Sequence, residues 1–122
     1  MLKTHKDLLV WQKAFAFCKR VYEVTREFPD EERFGLTSQL RRGAVSVASN
    51  LAEGYNRGTR PDYIRFLWIA NGAVAELDTQ LLIADEMRYS RGDSIASLIE
   101  DLAEIERMLR ALIRSLQSKS DG

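Results

Sequence analysis

Apolar residues recur at steps of three and four along nearly the whole chain, the spacing of a helix face rather than the alternation of a strand. Turn-forming residues interrupt the pattern at Phe28-Pro29-Asp30 to Gly35, at Gly54-Tyr55-Asn56-Arg57-Gly58 and at Tyr89-Ser90-Arg91-Gly92-Asp93. The pattern therefore predicts four helices, over about residues 7–28, 38–55, 60–88 and 94–117. In the first, Trp11, Ala14, Phe15, Cys18, Val21, Tyr22 and Thr25 form the main stripe, and Val10, Phe17, Val24 and Phe28 run beside it. The second opens at Thr37, read as its N-cap, and buries Leu40, Ala44, Val47, Ala48 and Leu51. The third opens Thr59-Arg60-Pro61-Asp62: an N-cap threonine, a proline in the first turn and an acid at the capping-box position. Its stripe runs from Tyr63 and Phe66 through Leu67, Ala70, Ala73, Val74, Leu77 and Leu81 to Ala84. The fourth starts near Asp93-Ser94 and uses Ile95, Leu98, Leu102, Ile105, Leu109, Leu112 and Leu116. Four helices with short connections predict one all-α domain over residues 1–122, an antiparallel up-down-up-down four-helix bundle.

One feature exceeds what a single bundle needs. Opposite the main stripe of the third helix lie Ile64, Trp68, Ala75 and Leu82, on a face that water would cover in a monomer. With the extra line Val10, Phe17 and Val24, this predicts an interface between copies of the chain, a homo-oligomer. The alternative is a tilted bundle whose own neighbours cover the wide arcs.

The second helix carries an unusual polar line. Gln39, Arg42, Ser46, Asn50 and Glu53 follow one another at steps of three and four, beside the apolar line and flanked by Ser49. Serine and asparagine are mediocre helix formers, so solvation alone is a poor reason for them. The reading preferred here is a polar seam whose guanidinium, amide and carboxylate groups bridge helices or subunits and fix their register. A ligand or nucleic-acid site ranks second. Catalysis ranks last, because Glu53 is the one carboxylate on the line.

Composition sharpens this without adding an activity. The chain has 122 residues, 45% hydrophobic and 30% charged, which suits an ordered helical domain. Lys+Arg number 18 and Asp+Glu 18, so the net charge is zero. The balance is a cancellation: residues 36–60 hold Arg41, Arg42, Arg57 and Arg60 against Glu53 alone, while the later segments carry an acidic excess. Overall neutrality argues against a generally basic nucleic-acid binder, and the segregation suits complementary contacts within an assembly. The start lacks a signal-type apolar core and no stretch is long enough to span a membrane, so a cytoplasmic protein without a membrane partner is expected.

Candidate chemistry is sparse. His5 is the sole histidine and Cys18 the sole cysteine, too few for a di-iron or zinc site, and Cys18 on an apolar stripe reads as an inert thiol. No phosphate-loop, dinucleotide or hydrolase motif occurs. No catalytic residue, cofactor, metal or small-molecule substrate is therefore expected. Arg57, Gly58, Thr59 and Arg60 open the third helix, where free backbone N–H groups attract anions. With Arg41 and Arg42 they are the candidate contacts to RNA or DNA phosphates, although a capped helix with solvated arginines is preferred. The pair Glu31-Glu32 reads as a solvated connector, the alternative being a pairing with an arginine on a neighbouring subunit.

The run from Leu36-Thr37-Ser38-Gln39-Leu40-Arg41-Arg42-Gly43 through Ala44-Val45-Ser46-Val47-Ala48-Ser49-Asn50-Leu51-Ala52-Glu53-Gly54 resembles the signature of the 23S ribosomal-RNA intervening-sequence proteins. The likeness extends to Leu9-Val10-Trp11-Gln12-Lys13-Ala14, Phe28-Pro29-Asp30-Glu31-Glu32, Phe66-Leu67-Trp68-Ile69-Ala70 and Ala75-Glu76-Leu77-Asp78-Thr79-Gln80-Leu81. The resemblance implies a non-enzymatic four-helix bundle assembling into a homopentamer, with a poorly defined molecular function. A related group, the accessory variability proteins of diversity-generating retroelements, shares the pentameric barrel and binds nucleic acid and a reverse transcriptase. Those relatives are basic and this chain is neutral. Ala48 and Gly43 also depart from the proline and alanine of many relatives. Ala48 keeps a backbone donor in the helix, and Gly43 permits close helix approach.

Overall fold

The structure is a computed structural model and describes residues 2–119. The last residues of the polar tail, 120–122, lie outside the described residues. Four helices carry the fold: α1 (Leu9–Thr25), α2 (Leu36–Tyr55), α3 (Arg60–Glu86) and α4 (Ser94–Ser118), with 3-10 turns at His5–Asp7 and Asp30–Glu32. No strand occurs among the described residues.

The first helix is shorter than its pattern predicts, because local capping chemistry claims both ends. Thr4 and Asp7 form a capping box around the leading 3-10 turn, and Thr25 is followed by a turn into Pro29. Thr37 is not an N-cap. Gly35 holds that position, and Thr37 lies buried inside α2. The cap comes from Glu32 instead, whose Oε1 accepts the Leu36 N–H at 2.9 Å while its Oε2 accepts the Tyr89 hydroxyl at 3.0 Å. Glu32 thus ties the start of α2 to the α3–α4 turn rather than resting in solvent. The α3 start follows the sequence reading in part. Thr59 Oγ1 accepts the Asp62 N–H at 3.3 Å, but the Asp62 carboxylate turns to Arg57 and Arg65 and leaves the box half closed.

Neighbouring helices pair in a consistent register. Gln39 bonds Gln80, and a Cβ on Gly43 would meet Leu77 at 3.0 Å. One on Gly54 would meet Phe66 at 2.9 Å and Tyr63 at 3.1 Å, so α2 and α3 approach closely where α2 carries no side chain. Arg41 Nε donates to Thr25 Oγ1 at 2.9 Å, and His5 meets Asn56 at the opposite end of α2. On the far side, Arg20–Asp101 and Lys13–Glu104 ion pairs join α1 to α4. These exposed pairs set orientation more than stability.

One contiguous core runs through all four helices, with Leu40, Leu51, Leu67, Leu77, Leu81, Leu98, Leu102, Ile105 and Leu109 fully buried. The stripes of α2, α3 and α4 fall mostly where their periodicity places them, but Ala48, Tyr63, Phe66, Leu112 and Leu116 are only half-buried, and Ile113, outside the predicted stripe, is buried. The stripe of α1 departs further. Val10, Phe17 and Val24, expected at an interface, are only 4%, 2% and 8% exposed inside the bundle. Trp11 and Cys18, expected in the core, are half-buried, and Phe15 and Tyr22 are exposed. The reason lies across the groove: the facing residues of α2 are Val45, Ala48, Ser49 and Ala52, too small to cover an aromatic line.

Candidate functional site

α1 and α2 enclose an apolar groove of about 340 Å³, lined by Trp11, Phe15, Cys18, Val45, Ala48 and Ala52, with His5 and Lys19 at its rim. Trp11 stacks on Phe15 with ring centroids 5.1 Å apart, so two aromatic faces form one wall. Burial pushes the Cys18 thiol above its ordinary value, which suppresses the thiolate and with it nucleophilic reactivity. A second concavity of about 530 Å³ adjoins it at Val45, which lines both, and has a different character. Arg33, Arg41 and Arg42 stand there among Tyr22, Phe34 and Val45. Arg41 lies over the Tyr22 ring at 4.8 Å, Arg33 over Phe34 at 5.3 Å, and Arg42 donates to Ser38 Oγ at 3.1 Å. None of the three is ion-paired with a carboxylate among the described residues.

The outer face of α3 is the second exposed apolar surface. Trp68 is 43% and Leu82 49% exposed, as the sequence placed them, while Ile64 is half-buried against the core. Ile69 and Ile83, one step off the Trp68–Leu82 line, widen the face, and Met87 at the C-cap extends it. The Arg110 guanidinium lies 6.0 Å from the Trp68 ring. A Cβ on Gly72 would meet nothing within 4 Å.

The polar line of α2 is brought onto the α2/α3 side, and most of it bonds locally. Arg42 reaches Ser38, and Asn50 Nδ2 donates to Ser46 O at 2.8 Å and Ser46 Oγ at 3.0 Å. Among the described residues, Gln39 alone on this line bonds another helix, accepting from Gln80 Nε2 at 3.1 Å. Gln39, Arg42 and Ser46 line a groove of about 400 Å³ with Glu76 and Gln80. Gln80 Oε1, and Asn71 Oδ1 elsewhere on α3, are buried acceptors with no hydrogen-bond partner.

The four candidate phosphate-binding arginines are not brought together. Arg41 and Arg42 sit in the first half of α2, and Arg57 and Arg60 beyond its end, about 20 Å along the helix axis. Arg57 Nε donates to Asp62 Oδ2 at 2.7 Å, and Arg60 Nη1 donates to the Lys119 carbonyl at 2.6 Å. The Arg57–Asp62 bond is the leading cause that holds the Asp62 carboxyl below its ordinary value, with a second hydrogen bond from Arg65 adding to it, and the same bond raises Arg57. Among the described residues no three His, Cys, Asp or Glu side chains gather to hold a metal ion. No helix there is long and apolar enough to cross a membrane.

The family model described as 23S rRNA-intervening sequence protein matches residues 6–111, from the leading 3-10 turn well into α4. The chain belongs to that family. A solved structure from Bacteroides thetaiotaomicron, a protein with unknown function from the S23 ribosomal protein family, superposes with a TM-score of 0.81 at 25% identity. The match covers 89% of this chain and 98% of that one. No curated protein matches. Membership of the family supports the four-helix architecture and indicates no enzymatic class.

Proposed function

We propose that the protein is a non-enzymatic structural subunit, an up-down-up-down bundle whose work is to assemble with copies of itself and present a repeated surface to a partner. The single observation that carries this reading is α3. Buried Leu67, Leu77 and Leu81 line one side, and exposed Trp68, Ile69, Leu82, Ile83 and Met87 the other. Large apolar side chains left exposed opposite a buried stripe form a second surface to cover, and one bundle covers only the first. The expected assembly is a homopentamer, by likeness to the family. Trp68→Asp places a charge on the outer face without touching the core. In light scattering it gives a smaller particle than the parent chain, and an unchanged mass refutes the assignment of this face.

A second reading, contact with RNA or DNA backbones, is supported by Arg33, Arg41 and Arg42 on the open groove without carboxylate partners. It predicts a low-salt gel shift that weakens steeply as sodium chloride rises. Binding that ignores salt, or no shift at all, removes it.

A further inference from the structure

The two exposed apolar surfaces differ in charge, and the difference selects how they can meet. The concavity that adjoins the apolar α1/α2 groove at Val45 holds Arg33, Arg41 and Arg42 and forms its arginine end. The second half of α3, around Leu82, Ile83 and Met87, carries Asp78, Asp85 and Glu86, none with an ionic partner among the described residues. A two-fold contact, groove to groove or ridge to ridge, opposes like charges across its centre. Only groove against ridge opposes unlike ones.

The register inside the bundle adds an independent condition. Gln39 is level with Gln80, Gly43 with Leu77 and Gly54 with Phe66. Stepping along both helices at the same rise, Arg42 is level with Asp78, Leu36 with Ala84, Ala48 with Gly72 and Ala52 with Trp68. When neighbouring bundles lie parallel, the arginine end of the groove therefore meets the acidic half of the ridge. In the same placement the narrow apolar groove meets Trp68 and the bare backbone at Gly72. An inverted neighbour places Trp68 among the arginines and the carboxylates on the apolar groove. Charge and hydrophobicity match together in one orientation.

We propose that copies of this chain join head to tail, the outer face of α3 on one protomer seated in the α1/α2 groove of the next, with bundle axes parallel. This rests on the homo-oligomer reading and deepens it, since such a contact closes into a ring when its rotation closes. The α1/α4 side, laced by Arg20–Asp101 and Lys13–Glu104, stays outside the contact.

Charge reversal on the full chain tests it by light scattering and native mass. Arg33→Glu with Arg42→Glu reverses the groove, and Asp78→Arg with Glu86→Arg reverses the ridge. All four positions are exposed, and circular dichroism checks that the helices persist. Each pair alone lowers the particle mass toward one 14.0 kDa chain at low salt, and the chain carrying all four returns to the parent mass. If the parent itself is a single chain at every concentration, the homo-oligomer reading fails and this proposal with it. If the parent assembles but the pairs leave its mass unchanged, or the combined chain stays dissociated, the assembly stands and the assignment of faces is overturned. A second measurement serves if a reversal unfolds the chain. With Cys18→Ser in place, Ala48→Cys plus Gly72→Cys on one chain gives a ladder of disulfide-linked oligomers under mild oxidation, while neither cysteine alone gives dimers. Dimers from either single variant, or no ladder from the pair, refute the head-to-tail contact.

Discussion

Two glycines on neighbouring helices should respond to the same substitution with opposite signs. At Gly54 an alanine Cβ would stand 2.9 Å from Phe66 Cβ, 3.1 Å from Tyr63 Cδ1 and 3.2 Å from the Tyr63 carbonyl oxygen. Carbon contacts are comfortable at about 3.5–4.0 Å, so α2 and α3 must part by several tenths of an ångström at this end. Two of the three obstacles are a Cβ and a backbone oxygen, which no rotamer change removes. Overpacking of this kind costs about 1–3 kcal/mol, against a propensity gain of about 0.5–1 kcal/mol that shrinks one residue from the helix end. Gly54→Ala therefore destabilises by about 1–2 kcal/mol. Within the single chain Gly72 is mid-helix, exposed and free of neighbours within 4 Å, so at concentrations low enough to keep the chain unassembled Gly72→Ala collects the propensity term alone and stabilises by about 0.5–1 kcal/mol. Urea unfolding followed by circular dichroism, at one protein concentration because assembly adds its own term, gives the order Gly72→Ala, parent, Gly54→Ala. A Gly54→Ala chain as stable as the parent refutes the close approach. A destabilised Gly72→Ala chain shows that something does cover that face, and comparison across concentrations reveals whether it is a second copy.

Two further outcomes follow from single residues. Arg88 closes α3 at φ 56°, with Arg88 N–H bonding Asp85 O and Tyr89 N–H bonding Ala84 O, a Schellman end that glycine fits without strain. Arg88→Gly should raise stability by about 1 kcal/mol in the same titration, and a loss of that size contradicts the strained conformation. Burial, with a smaller contribution from Tyr55, pushes the Tyr63 hydroxyl from 10.0 up to about 12. Between those values the folded chain holds a proton that the unfolded chain has released, so stability falls as pH rises from about 10 to about 12. Ultraviolet titration should show one tyrosine ionising near the top of that window, absent in Tyr63→Phe, and its persistence there assigns the step elsewhere.

Periodicity located four helices because their stripes repeat over many turns, and the Thr59-Pro61 start was legible because its cap is local. Partner-dependent features were not legible. The apolar arc of α1 spans both the core and the groove, and only the small residues of α2 decide that Val10 and Phe17 go in while Phe15 stays out. Glu32 becomes a cap because Tyr89 arrives from far along the chain to hold its other oxygen. The α2 polar line was readable as a line, but Ser46 with Asn50 and Ser38 with Arg42 satisfy one another within the helix, leaving Gln39 with Gln80 as its one bridge to another helix among the described residues. The arginine and carboxylate excesses were visible in sequence, and their placement at one level on opposite faces needed the register of α2 against α3.

Native mass spectrometry of the chain purified from cells tests the central claim most directly, because it reads subunit number and bound nucleic acid in one spectrum. Assembly through the exposed faces predicts a particle that is a whole multiple of 14.0 kDa, five chains by the family's example, with no additional mass from RNA or DNA. A single 14.0 kDa species that persists as concentration rises contradicts it.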